Sequence, residues 1–75
     1  MTLVPVDVRD MLCAQAIALA GQAAKQAPAG AVLDVICNAD DVKTDLLIWA
    51  REMAYPVLGS SAEPEGARVR IYKDH

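Results

Sequence analysis

Val6-Asp7-Val8-Arg9-Asp10-Met11-Leu12-Cys13-Ala14-Gln15-Ala16, residues 6–16, is the stretch that decides how this chain is read. It begins as the end of a β-like run, Leu3 to Val8, in which Val4, Val6 and Val8 fall on one face. Pro5 restricts that strand to an edge or another ladder-free place. Arg9 to Leu12 form a short connection broken by charge. A cysteine then stands directly before an alanine-rich helical pattern. A thiol there sits in the first turn of a helix, where free backbone N–H groups and the positive end of the dipole favour a thiolate.

Working outward, Ala14 to Ala27 is predicted as a helix, because alanine has the highest helix propensity. Ile17, Ala20, Ala24 and Ala27 fall near one face, and Gln15, Gln22, Lys25 and Gln26 suit the solvent side. Pro28-Ala29-Gly30 ends it. Ala31 to Cys37 is the clearest strand, β-branched and bounded by turn residues. Asp34 assigns Val32, Asp34 and Ile36 to a wetter face, and Leu33, Val35 and Cys37 to the core. A second helix is expected from Asp41 or Asp45 to about Ala54, with Val42, Leu46, Trp49, Ala50 and Met53 as its apolar stripe and Asp45 as a possible inner cap. Val57–Ser61 and Ala67–Lys73 read as arms of a hairpin around Glu63-Pro64-Glu65-Gly66. The order β-α-β-α-β-β, with right-handed crossovers, gives an α/β (α+β) two-layer sandwich: a mixed four-stranded sheet with both helices on one face.

Length and composition bound the rest. Seventy-five residues suffice for one small domain, 1–75, and the absence of Phe from a 55% hydrophobic chain implies a thin, close core. A net charge of −3 argues against non-specific nucleic-acid binding, which depends on neutralising phosphates. Two cysteines are too few for a disulfide-stapled miniprotein. With no signal-peptide pattern and no apolar run of bilayer length, the expectation is a reducing, cytoplasmic setting with free thiols and no membrane contact.

Two readings stand for Cys13: a nucleophile in the open, or a small buried residue. Cys37 lies on the inward face of its strand and is read as core. Asp40, Asp41 and Asp45 are read as loop and capping residues rather than metal ligands. His75, the only histidine, offers neither a Cys/His dyad nor a metal set, so no metal and no cofactor is expected. Arg68, Arg70 and Lys73 form a basic strip, either simply solvated or a docking surface for an acidic partner.

These features together resemble the TusA/SirA-like family of small sulfur carriers. "VDVRDMLCAQAIAL" stands where that family shows Leu-Asp-x-x-Gly-x-x-Cys-Pro-x-Pro, and "NADDVKTDLLIWA" resembles its acidic loop and second helix, with Asp45 and Trp49 at the matching places. The likeness runs from about Val6 to Lys73. It departs at Ala14 and Ala16, which replace the prolines and predict a less rigid Cys13 loop. It departs again at Asp10, which replaces the glycine and sets a negative charge near the thiol. The resemblance implies a sulfurtransferase role: Cys13 takes sulfane sulfur from a protein donor as a persulfide and relays it to an acceptor protein. Lys25, Arg68 and Arg70 are then the partner-binding candidates. The competing reading is a non-catalytic interaction or regulatory module on the same fold.

Overall fold

A computed structural model describes residues 2–75. The elements are β1 (Leu3–Asp7), α1 (Cys13–Gln26), β2 (Ala31–Cys37), α2 (Asp40–Glu52), β3 (Val57–Glu63) and β4 (Gly66–Lys73). The strands form one mixed sheet in the order β1-β2-β4-β3. β1 runs parallel to β2, with Val6 beside Val35, while β2–β4 and β3–β4 are antiparallel, with Val35 opposite Val69 and Ser60 opposite Val69. The β-α-β-α-β-β order and the mixed sheet agree with the sequence reading.

Helix α1 packs on β1 and β2, α2 packs on β4, and the helices touch each other, so one layer covers one face of the sheet. The buried stripe of α1 is Ala16, Ala20 and Ala24, and that of α2 is Val42, Leu46 and Ala50. Both follow the four-residue spacing that keeps side chains on one helical face. They meet Val6, Val8, Leu33, Val35, Cys37, Val69 and Ile71 from the sheet. Because the α1 stripe is methyl groups only, that helix can lie close to the strands. Trp49 is half-buried and meets the buried Tyr55 edge-on, with ring centroids 5.9 Å apart.

Several local expectations are corrected. α2 starts at Asp40 and runs through Asp45, which therefore caps nothing. Met53 lies just past its end and is 41% exposed, so it is not core. The helix stops by a turn of left-handed backbone at Ala54 (φ 59°), after which Tyr55 N–H donates to the Ala50 carbonyl at 2.8 Å. The hairpin loop is only Pro64-Glu65, since both arms extend to Glu63 and Gly66. Gly66 passes so near the Cys37 carbonyl and the Asn38 Cα that no Cβ fits there.

The face assigned to water on β2 is also buried. Val32 is 2% and Asp34 6% exposed, although no helix covers them. The Arg68 guanidinium reaches over from β4 and pairs with Asp34 at 2.7 Å, and it binds Glu63 of β3 at 2.7 Å as well. Arg70 stands 3.6 Å from the other Asp34 oxygen. Long arginine stems thus roof the central strand, as snorkelling side chains do. Lys73 does not join this strip. It points to the helix side, where its ammonium donates to the Ala24 and Ala27 carbonyls at the C-terminal end of α1.

Candidate functional site around Cys13

Cys13 is the first residue of α1, and its side chain is half-buried. The preceding loop is held at every backbone N–H. Arg9 N–H donates to the Asp7 carboxylate at 3.0 Å, and Asp10 N–H to the Asn38 side-chain oxygen at 2.9 Å. Met11 N–H reaches the Val8 carbonyl at 3.4 Å, and Leu12 N–H the Gln15 side-chain oxygen at 3.1 Å. Asn38 returns its own amide N–H to the Asp10 carboxylate at 2.7 Å. Asp10 adopts φ 63°, a left-handed conformation open mainly to glycine and to short polar residues such as aspartate. This is where the family pattern carries glycine, so aspartate keeps the backbone and adds a bond to the neighbouring loop. The loop expected to be loose without prolines is hydrogen-bonded throughout.

The electrostatics differ from the expectation. Leu12, at the N-cap, supplies no side-chain cap, so the first amides of α1 are free to favour negative charge. Even so, the Cys13 thiol is pushed up to about 11, first by a hydrogen bond with Asp45, then by burial, and then by the charge of Asp41. The acidity expected of a helix N-terminus is therefore overridden by carboxylates of α2. Asp10, suspected from sequence, turns to Asn38 instead. The pairing of Asp41 and Asp45 with Cys13 is invisible along the chain. The four-residue spacing of the two aspartates on one helix face was its only signal.

Cys37 is sealed, 1% exposed, with its Sγ 3.6 Å from the Ala67 carbonyl, and burial raises its thiol above the ordinary range. The basic candidates do not converge. Lys25 is in the last turn of α1, Arg68 and Arg70 are on the helix-free face of the sheet, and Arg68 is already engaged by two carboxylates. Leu12, directly before Cys13, is 73% exposed, and Ile48 of α2, three residues past Asp45, is 49% exposed. Among the described residues, no group of three or more His, Cys, Asp or Glu side chains is placed to hold a metal ion. No described helix is long and apolar enough to cross a membrane.

No curated protein and no solved structure matches the chain. A family profile does: that of Sulfurtransferase TusA, over residues 5–73. With that match spanning nearly the whole sequence, and a cysteine heading the first helix of a β-α-β-α-β-β fold, the chain belongs to the TusA sulfurtransferase family.

Proposed function

We propose that the protein is a sulfur carrier whose working atom is the Cys13 sulfur. The observation that carries this reading is the half-exposed thiol at the head of α1 in a chain of this family. In the charging step the Cys13 thiolate attacks the outer sulfur of a donor persulfide. A new S–S bond forms on Cys13, the donor's S–S bond breaks, and the donor cysteine leaves as a thiolate. No electrons are gained or lost overall. Discharge repeats the exchange with an acceptor protein's nucleophile. Both partners are proteins, and the exchange suits a reducing cytoplasmic compartment. Lys25, Arg68 and Arg70 are candidate docking residues for them, on separate faces.

The step needs a thiolate, and Asp45 and Asp41 oppose it. A partner that brings a cationic side chain against these carboxylates would reverse their effect and free the proton. Charging would then be confined to the docked complex. The exposed Leu12, next to Cys13 in the chain, and Ile48 on α2 offer such a partner apolar contact.

The test is mass spectrometry after incubation with a protein persulfide donor. One added sulfur on Cys13 is expected. If the Cys13→Ser variant gains sulfur as readily, the reading fails. The second reading, a non-catalytic module, is favoured by the same raised thiol. It predicts a Cys13 that stays uncharged with every donor and remains slow to alkylate.

A further inference from the structure

We infer that Asp10 and Asn38 are positioning residues for Cys13: their reciprocal side-chain and backbone hydrogen bonds clasp the Cys13 loop to the loop after β2. This rests on the sulfur-carrier reading for its purpose but not for its geometry. The pair joins residues 28 apart in sequence through two bonds, 2.9 Å and 2.7 Å, one in each direction. Both partners stand where the sheet delivers two chain segments to the same end. β1 and β2 run parallel, and Val8 N–H extends their ladder to the Ile36 carbonyl at 2.9 Å. The next residues are the two loops, one leading into Cys13 and the other into Asp40, the start of α2.

The clasp therefore fixes the N-terminus of α1 relative to the N-terminus of α2, and with it the thiol relative to Asp41 and Asp45. Asp10 is suited to this twice. Its short side chain tolerates the left-handed backbone that the turn into α1 requires, and its carboxylate accepts from Asn38. Asn38 is equally specific. Its amide offers an acceptor to the Asp10 N–H and a donor to the Asp10 carboxylate, which an aspartate or alanine there cannot do. The bonds are exposed, so their value is in holding a geometry rather than in global stability.

The experiment compares wild type with Asn38→Ala, Asp10→Gly and Asp10→Asn in two assays. One is alkylation of Cys13 by iodoacetamide, and the other is sulfur uptake from a protein persulfide donor. Freed from the clasp, the thiol should meet a small reagent more readily and a protein donor less productively. For Asn38→Ala, which removes both bonds, a rise of at least about threefold in the first rate and a comparable fall in the second are expected, about threefold being the scale of one modest exposed hydrogen bond. Asp10→Gly, which keeps the backbone but not the carboxylate, should behave likewise, and Asp10→Asn should restore both rates. A merely structural role would not drive the two rates in opposite directions. If Asn38→Ala is unfolded by circular dichroism, Asp10→Gly decides the matter. Unchanged rates, or both moving together in the folded variant, overturn the inference. If no variant, wild type included, takes up sulfur, the carrier reading fails instead, and the alkylation arm still decides the clasp.

Discussion

Replacing Asp45 with Asn should make Cys13 a faster nucleophile at neutral pH. The Cys13 thiol stands at about 11 against an ordinary 9.0, and the hydrogen bond with Asp45 is the first cause. Closing that whole gap would raise the thiolate fraction at neutral pH about a hundredfold. A less basic thiolate is also intrinsically weaker, with a Brønsted slope near 0.4–0.5, which takes back roughly six- to tenfold. The net ceiling is thus about a tenfold faster reaction. Burial and Asp41 remain in the single variant, so Asp45→Asn should give several-fold, and Asp41→Asn/Asp45→Asn should approach the ceiling. The assay is site-resolved iodoacetamide alkylation from neutral to strongly alkaline pH, with the buried Cys37 as the internal marker of unfolding. The midpoint of the Cys13 profile should move to lower pH in the order wild type, single, double. Asp40→Asn, outside this group, should leave it in place. A midpoint that stays put, or moves up, refutes the claim that α2 carboxylates govern this thiol.

Leu46→Ala should cost about 2–5 kcal/mol in urea unfolding, because Leu46 is fully buried between α2 and the sheet. Ala54→Gly should stabilise by roughly 1 kcal/mol in the same measurement, since glycine relieves the left-handed turn that ends α2. Lys73→Met should cost about 1 kcal/mol and fray the last turn of α1, read by amide exchange at Ala24 and Ala27. Asp7 has its carboxyl lowered from 3.8 to about 2 by Arg9. A lowered folded value stabilises the fold above the unfolded value, and that contribution drains away as pH falls towards 2. Asp7→Asn should accordingly lower stability slightly at neutral pH, as for an exposed pair, flatten the acid limb of the stability–pH curve, and converge with wild type as pH approaches 2.

Element order, the α2 stripe through Ala50, Ala20 and Ala24 of the α1 stripe and the placement of Cys13 at a helix start are legible because each is a local pattern, while Ala16 takes the buried place expected for Ile17, which is only partly buried. Alanine content, the four-residue spacing of Val42, Leu46 and Ala50, and the turn residues around β2 do not depend on distant contacts. The misses lie where a remote group decides. Asp34 reads as a wet-face residue until Arg68, 34 positions away, folds over it. Lys73 reads as part of a basic strip from its charge alone, but its parity places it with Val69 and Ile71 on the helix side. Met53 has the right helical phase, but the helix stops before it matters. The thiol's acidity followed from its own helix alone, and the neighbouring helix reversed it.

The arginine roof over β2 has a dynamic consequence. β2 has a partner strand on each side and cover on both faces, whereas every residue of β3 from Val57 to Ala62 is exposed at the sheet edge. Protection against deuterium uptake should therefore be steeply graded across a sheet only four strands wide. β3 is the strand that peels first, and β2, the strand leading into the Asn38 clasp, is the last to let solvent in.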